Sequence, residues 1–316
     1  MSRTEPATAY LMGFNVSDGH HWRRENAPGV NVDERVVEGF GREWGRFDQR
    51  GMNRTEAFAL FMRYFVLFPW ETLPEGACGF DAGCGSGRWA RFVAPRVDTL
   101  HCVDASDGAL RVAAKTLVDQ RNCEFHLATV DDMPMAHNTM DFGYSIGVLH
   151  HIPDTLSALR ACVRALKPGA PFLLYLYYAF DNRPEWFRMI WKATDWVRVL
   201  LSRCPFPVRS VVCDLLAVGV YLPFARAAKL AERMGAAVDH APLSAYRDQS
   251  LYVMRTDALD RLGTRLEKRF TRDDIRQLMT QAGLVDIRFQ EGPPYWVTVG
   301  IKAQSPGTAF TRSSEP

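Results

Sequence analysis

The most constraining feature of this sequence is the regular alternation of strand-like and helix-like segments between residues 76 and 180. Short β-rich runs such as ACGFD, TLHCVD and MDFGYSI are separated by runs of helical periodicity such as DGALRVAAKTLV and DTLSALRACVRAL. Strands that alternate with helices form a parallel sheet with helices on both faces and right-handed crossovers. The strands are almost continuously apolar, as expected for strands buried on both faces. We therefore predict an α/β fold with a mostly parallel, doubly wound sheet.

The alternation of strand-like and helix-like runs is absent on either side of this segment. Long helical patterns rich in Trp, Leu and Arg interrupt the alternation after the fifth strand, and one helix and two strands then complete it. We find no internal repeat, which excludes solenoids and propellers. The predicted zones are an N-terminal helical cap at 1–75, the α/β core at 76–180, a helical insertion at 181–269, the C-terminal part of the core at 270–302 and a disordered polar tail at 303–316.

Local signals place several helix ends. The cap is predicted to hold one helix over 32–47 and a second that begins at Asn53, with Glu56 as its capping-box partner. Thr271 and Asp274 form a second capping pair at the start of the helix that follows the insertion.

Composition excludes several classes of protein. With 47% hydrophobic and 23% charged residues, the 316-residue chain is typical of a globular protein. The net charge of +2 gives no global reason to expect a nucleic acid partner, although residues 181–269 hold 15 basic and 10 acidic residues. The seven cysteines show neither zinc-site spacing nor a disulfide framework, so we expect no metal and a cytoplasmic protein. We expect no signal peptide, and no transmembrane segment because the most apolar stretch, 211–224, is short and interrupted.

A glycine-rich loop lies between the first strand and the first helix of the alternating segment. Its glycines, Gly83, Gly85 and Gly87, let the backbone approach a ligand beyond the carboxyl ends of the strands. Counted from Gly85, the loop also satisfies the dinucleotide pattern, so a dehydrogenase has to be considered. Asp81 argues against it, since a carboxylate there would repel a pyrophosphate but suits a cationic ammonium group. Asp104, which ends the next strand, can bind both hydroxyls of a ribose under either interpretation.

Three segments together resemble class I S-adenosylmethionine-dependent methyltransferases, in particular the type 11 branch. They are the loop FDAGCGSGRWA, the strand end CVDAS and the run MDFGYSIGVLHHIPDTLSALRACVRALKPGAPFLLYLYY. The resemblance covers roughly residues 76–180 and resumes at 270–302. It implies a seven-stranded Rossmann-like sheet whose last strand, at 295–302, is antiparallel. It also implies S-adenosylmethionine as the cofactor, with S-adenosylhomocysteine as the product.

The resemblance further implies which residues hold the cofactor. Asp81 and the backbone of the loop glycines would serve its methionine half, and Asp104 its ribose. Family members often have Gly-Asp-Ala where this chain has Ala128-Thr129-Val130, so the usual aspartate near the adenine amine is absent, and Thr129 or Asp131 is left to replace it. The implied cofactor residues are Asp81, Gly83, Gly85, Gly87, Asp104, Ala105, Ser106, Thr129, Val130, Asp131, Ser145 and Gly147.

Candidate catalytic and substrate residues follow the strands at the same edge. His150 and His151 come after the fourth strand, where an imidazole can act as a general base because its pKa lies near neutrality. Alternatively, the pair only shapes the turn before the helix that begins near Asp154. Candidate substrate residues come from the cap, the end of the fifth strand and an insertion loop, and packing roles remain open for the aromatic ones. They are Trp44, Tyr177, Asp181, Arg183, Tyr246 and Arg247.

These observations predict a methyltransferase with a lid. Methyl transfer from a sulfonium is an in-line displacement, which depends chiefly on the positioning of donor and nucleophile. The insertion leaves the sheet at its ligand edge and can cover the acceptor and exclude water. We expect a small-molecule acceptor methylated on oxygen, or next on nitrogen. A thiol S-methyltransferase and a cofactor-binding regulatory or assembly subunit without turnover remain alternatives. Nucleic acid and protein are less expected acceptors, because no reader module and no Asn-Pro-Pro-Tyr-type motif is recognisable.

Overall fold

The computed structural model of the chain describes residues 31–49, 51–238 and 241–304. Within them the strands are β1 Cys78–Ala82, β2 Thr99–Asp104, β3 Cys123–Leu127, β4 Phe142–Ile146, β5 Pro171–Tyr175, β6 Leu284–Phe289 and β7 Thr298–Lys302. These seven strands form one sheet in the order β3-β2-β1-β4-β5-β7-β6. The first five strands pair in parallel, whereas β7 is antiparallel to both β5 and β6.

This topology confirms the predicted α/β fold and its antiparallel last strand. That strand begins at Thr298 and not at residue 295. Residues 295 and 296 instead form a turn, in which Nε1 of Trp296 donates to the Asp181 carboxylate at 2.9 Å. Residues 1–30 of the predicted cap, and the predicted tail from residue 305 onward, lie outside the described residues.

Helices cover both faces of the sheet. They are α1 Glu34–Arg46, α2 Arg54–Tyr64, α3 Ala90–Val93, α4 Asp107–Thr116, α5 Thr155–Ala165, α6 Glu185–Leu201, α7 Phe206–Leu216, α8 Leu222–Arg233, α9 Leu251–Gly263 and α10 Arg272–Gln281. One core cluster joins the sheet to α2, α3, α4 and the insertion helices α7 and α9, and the other joins it to α5 and α10.

The helix caps match the sequence signals in one case and differ in another. Thr271 and Asp274 form the predicted capping box of α10. Asn53 caps α2 by accepting a hydrogen bond from the Thr55 N–H, but the prediction that Glu56 completes a capping box is wrong. The Glu56 carboxylate instead accepts a hydrogen bond from the N–H of Ser250, 2.6 Å away, and so links α2 to the N-cap of α9.

The centre of the sheet depends on two reciprocal glycine–phenylalanine pairs. Gly79 lies beside Phe142 and Phe80 beside Gly143 across the β1–β4 ladder. A Cβ on Gly79 would lie 2.3 Å from the Phe142 ring, and a Cβ on Gly143 would lie 2.3 Å from the Phe80 ring. Each ring therefore occupies the space that the neighbouring glycine leaves open. The two strands that carry the glycine loop and His151 are held together by these contacts.

The helices α7 and α8 form one continuous helical run with a π-helical turn at Ala217–Tyr221 between them. This run, Phe206–Arg233, has 28 residues and is long and apolar enough to cross a membrane by length and composition alone. The sequence-based expectation considered only 211–224 and therefore underestimated the length of the helix. A helix in the core of a soluble protein can pass the same test, so the observation is weak evidence for a membrane span.

We predict opposite effects for two glycine-to-alanine substitutions. Gly143→Ala forces a methyl group into the Phe80 ring and should lower the free energy of unfolding by about 1–3 kcal/mol. Gly219→Ala lies in open space within the helical run and should raise it by up to about 1 kcal/mol. Urea unfolding monitored by circular dichroism measures both. Equal effects of the two substitutions would contradict this account of the sheet.

Candidate active site

A cavity of about 970 Å³ extends from the glycine loop to the space beneath the insertion helices. Its size lies at the upper end of the range that is usual for ligand pockets, roughly 300–1,000 Å³. Residues from α1, the carboxyl ends of the strands and the insertion all contribute to its wall. The sequence-predicted residues that line it are Trp44, Gly83, Gly85, Asp104, Ala105, Ser106, Thr129, Val130, Gly147, His151, Tyr177, Arg183, Tyr246 and Arg247.

The glycine loop adopts a conformation that other residues rarely take. Gly83 has φ +84° and Gly85 has φ +53°, both in the left-handed region. The N–H groups of Gly83 and Cys84 donate to the Val103 carbonyl at 2.8 and 2.9 Å, which fixes the loop to the end of β2. A Cβ on Gly85 would lie 3.0 Å from Nε1 of Trp44. The backbone at Gly85 can therefore approach Trp44 this closely only because glycine has no Cβ.

Asp104 connects the loop to the helix after β2. Its Oδ2 accepts a hydrogen bond from the Gly85 N–H at 2.9 Å, and its Oδ1 accepts one from the Ser106 N–H at 2.8 Å. Burial raises the pKa of this carboxyl, and the backbone hydrogen bonds oppose that shift. Each carboxylate oxygen can accept a second hydrogen bond. The group is thus held at the cavity wall with free acceptor capacity, as a pair of ribose hydroxyls requires.

Asp81 lies behind the loop and does not line the cavity. Its side chain is 1% exposed, and neither carboxylate oxygen has a hydrogen-bond partner among the described residues. Burial raises the pKa of Asp81 to about 8, and the neighbouring Tyr144 hydroxyl offsets part of this shift. A buried carboxyl without a counter-charge would be stabilised by a nearby cation. Its predicted role toward an ammonium group stays a prediction.

Five further predicted residues do not line the cavity, and three of them form side-chain hydrogen bonds within the protein. Ser145 donates from its hydroxyl to the Ala82 carbonyl at 2.8 Å. Asp131 accepts from the Ser157 hydroxyl at 2.8 Å. Asp181 accepts from the Arg272 N–H and from Nε1 of Trp296, both at 2.9 Å. The other two are Gly87 and His150.

The two adjacent histidines occupy different environments. His150 is fully buried, and its ring stacks on Tyr177 with 4.0 Å between centroids. His151 lines the cavity, and its Nδ1 lies 2.7 Å from the Leu266 carbonyl, so Nδ1 must carry the proton that it donates. Burial lowers the pKa of His151 to about 4. At pH 7 this imidazole is therefore neutral, with its lone pair on Nε2.

Asp260 faces that lone pair. Its Oδ1 lies 3.9 Å from Nε2 of His151, and neither atom has a hydrogen-bond partner among the described residues. The hydroxyl of Tyr177 donates to the other carboxylate oxygen. Burial raises the pKa of Asp260 to about 6. Two acceptor atoms therefore face each other 3.9 Å apart with no donor to bond them among the described residues, and a ligand O–H or N–H that reached this gap would supply one.

Sequence reasoning missed Asp260 and its neighbours on α9. Asp257, Asp260 and Arg261 all line the cavity. Asp257 accepts from the Tyr246 hydroxyl at 2.9 Å, and the Arg261 guanidinium lies 5.6 Å from the Tyr246 ring centroid. The signal was present, because these three charges lie at positions i, i+3 and i+4 of one helix and so share a face. The missing information was which way that face points.

Comparisons with known proteins find relatives of part of this chain. Residues 80–174 match the sequence model of a methyltransferase domain. The ubiquinone biosynthesis O-methyltransferase of Thiobacillus denitrificans is 34% identical over 105 residues, which cover 33% of this chain and 44% of that protein. Phosphoethanolamine N-methyltransferase 2 of Caenorhabditis elegans is 30% identical over 105 residues, 32% of this chain and 24% of that protein. The chain thus spans less than half the length of these relatives.

Residues 80–174 form a class I S-adenosylmethionine-dependent methyltransferase domain. Among solved structures, the methyltransferase in complex with the Haloferax volcanii Trm112 methyltransferase activator aligns with 84% of this chain and 98% of its own, at 15% identity and a TM-score of 0.46.

The residues of this methyltransferase domain fit the donor that its family uses. The glycines of the loop leave its backbone open to a ligand beside Trp44, and Asp104 has free acceptor capacity. The Ser86 hydroxyl, which sequence reasoning also missed, lines the cavity and is buried without a hydrogen-bond partner among the described residues.

We predict that Asp104→Asn weakens S-adenosylhomocysteine binding about 10- to 100-fold, since hydrogen bonds to a charged group contribute about 1.5–3 kcal/mol. Isothermal titration calorimetry measures the dissociation constant. Asp107→Asn is the matched control, because Asp107 is an exposed carboxylate of α4 that pairs with Arg111. Equal affinities of the two variants would show that Asp104 does not hold the ribose.

Proposed function

We propose that the chain transfers a methyl group from S-adenosylmethionine to an oxygen, or alternatively a nitrogen, of a small-molecule acceptor held beneath the insertion. The observation that carries this proposal is the pair of opposed acceptor atoms, Nε2 of His151 and Oδ1 of Asp260, at the cavity. A hydroxyl or amine of the acceptor would supply the hydrogen-bond donor that both atoms lack among the described residues.

The cofactor end of the cavity fixes the position of the donor. When bound, S-adenosylmethionine supplies an electrophilic methyl group attached to a sulfonium sulfur. The sulfur is the leaving group and becomes a neutral thioether. Asp104 would bind the ribose, and the Gly83 and Gly85 backbone would contact the methionine part. Positioning donor and nucleophile at attack distance can contribute about 7–11 kcal/mol of the barrier reduction. The rigid attachment of the loop to β2 by hydrogen bonds serves this requirement.

The insertion end of the cavity would manage the proton of the acceptor. His151 is neutral at pH 7 and its Nδ1–H is held by Leu266, so Nε2 can take a proton from an acceptor hydroxyl. The Asp260 carboxylate, 3.9 Å away, would then stabilise the imidazolium that forms. A general base contributes about 10²- to 10⁴-fold in rate. His151 would act as the base, and Asp260 would stabilise its charged form.

We predict that His151→Gln reduces methyl transfer about 10²- to 10⁴-fold and leaves S-adenosylhomocysteine affinity within about twofold, because the base acts on the acceptor only. The acceptor is found first by incubating the wild-type protein with isotope-labelled S-adenosylmethionine and a metabolite extract, followed by mass spectrometry. The His151→Gln variant is then assayed with the same extract. His137→Gln is the control, as this histidine lies outside the cavity wall.

Three outcomes separate the candidate functions. A labelled ether or amine that depends on His151 supports the proposal. A labelled thioether, formed equally well by His151→Gln, would indicate a thiol acceptor that needs no base. Cofactor binding without any labelled product would indicate a binding subunit.

The pH dependence gives an independent prediction. Because Asp260 must be ionised to stabilise the imidazolium, the maximal rate should fall as the pH falls through about 6, and again near 4 as His151 becomes protonated. Asp260→Asn should remove the step near 6. A step near 6 that persists in Asp260→Asn would assign it to another group.

A further inference from the structure

The helical run formed by α7 and α8 presents an apolar outer face. Its inner face is buried through Ser210, Cys213, Ala217, Tyr221, Ala225 and Ala228. The outer face consists of the exposed residues Val208, Val211, Leu215, Val218, Val220, Phe224 and Leu230. The part from Val208 to Phe224 is free of exposed charges, and Arg226 separates it from Leu230. An apolar stripe of this length is rare on the surface of a soluble monomer.

The helix α6 adds a second group of exposed apolar side chains. Met189 is 71% exposed, Trp196 is 75% exposed and Leu200 is 66% exposed. Exposing a tryptophan side chain to water is unfavourable. Tryptophan is enriched at the interface between a membrane and water, at the level of the lipid head groups.

The charges beside these residues that lack an ion-pair partner in the described part of the chain are all positive. From residue 185 to 234 each of the four acidic residues forms an ion pair with an arginine: Glu185 with Arg188, Asp195 with Arg198, Asp214 with Arg46 and Arg255, and Glu232 with Arg247. Lys192, Arg203 and Arg233 are exposed and have no ion-pair partner among the described residues. The charge left uncompensated in this region is therefore positive.

The cavity continues to this surface. Ile190 and Val197 of α6, and Val220 and Phe224 of the helical run, are exposed and also line the cavity. The two helices therefore flank an opening with apolar edges. A molecule that enters between them passes apolar side chains before it reaches His151.

We propose that the outer face and the exposed apolar side chains of α6 dock on an anionic lipid surface, with the helices lying in the plane of the interface. An apolar face with cationic residues beside it is the pattern of interfacial helices. A second copy of the chain would bring the same uncompensated positive charges together, which favours a lipid surface over self-association. The cavity opening would then face the lipid. On the basis of the proposed function, the acceptor would be a molecule with an apolar portion.

Vesicle sedimentation of the full chain tests the docking directly. We expect binding to phosphatidylcholine vesicles that contain phosphatidylglycerol, and about tenfold weaker binding to phosphatidylcholine alone or at high salt. Leu215→Glu/Val218→Glu should lose binding to both kinds of vesicle. Lys192→Glu/Arg203→Glu/Arg233→Glu should lose only the preference for the anionic lipid. Val118→Glu is the matched control, because Val118 is 73% exposed and lies after α4, away from the insertion.

Three results would overturn the docking proposal. The first is a wild-type chain that stays in the supernatant with both kinds of vesicle. The second is a Val118→Glu variant that loses as much binding as Leu215→Glu/Val218→Glu. The third is a wild-type dimer in light scattering that Leu215→Glu/Val218→Glu converts to a monomer, since the face would then be a self-interface. S-adenosylhomocysteine calorimetry confirms that each variant is folded. The charge-reversal variant, whose changes are all on exposed residues, keeps the test decisive if the double glutamate variant does not fold. Vesicle binding does not require turnover, so failure of the docking proposal and failure of the methyltransferase proposal are distinguished.

Discussion

The hydrogen bonds from the Gly85 and Ser106 N–H groups to the Asp104 carboxylate are the constraint on which the site depends. They connect the loop after β1 to the start of α4 and hold a charged group at the wall of the cavity. Burial alone would favour the protonated form of this carboxyl, and the two N–H groups favour the charged form. The same contacts set the position of the glycine loop against Trp44. A cofactor bound there meets a surface that is already formed.

The second part of the site is built from more distant segments. His151 follows β4, Tyr177 follows β5, and Asp260 lies on α9, more than 80 residues later in the chain. Their polar atoms converge although two of them, Nε2 of His151 and Oδ1 of Asp260, are both acceptors. Such an arrangement costs stability in the absence of a donor, because each buried acceptor lacks a hydrogen bond. A bound substrate that donates a hydrogen bond to these atoms would supply the missing bond. The stability lost without such a donor would then be recovered when the substrate to be methylated binds.

The sheet and the loop could be predicted from the sequence because their signals are local. Apolar runs that alternate with helical segments identified the strands. Three glycines between a strand and a helix identified the loop. Asp104 was recognisable because it ends a strand beside that loop. Asp260 was not, since its role depends on how α9 is oriented over the sheet, and a helix with charges on one face does not reveal what that face contacts. Glu56 shows the same limit, because a distant N–H competed successfully for a side chain that a local rule assigned to its own helix.

A crystal structure of the chain with S-adenosylhomocysteine bound would show how the cofactor site and the proposed base are arranged. Both ribose hydroxyls should lie within hydrogen-bond distance of the Asp104 carboxylate. The thioether sulfur should point toward the gap between His151 and Asp260. A ligand whose ribose contacts other residues, or whose sulfur points away from that gap, would contradict this arrangement.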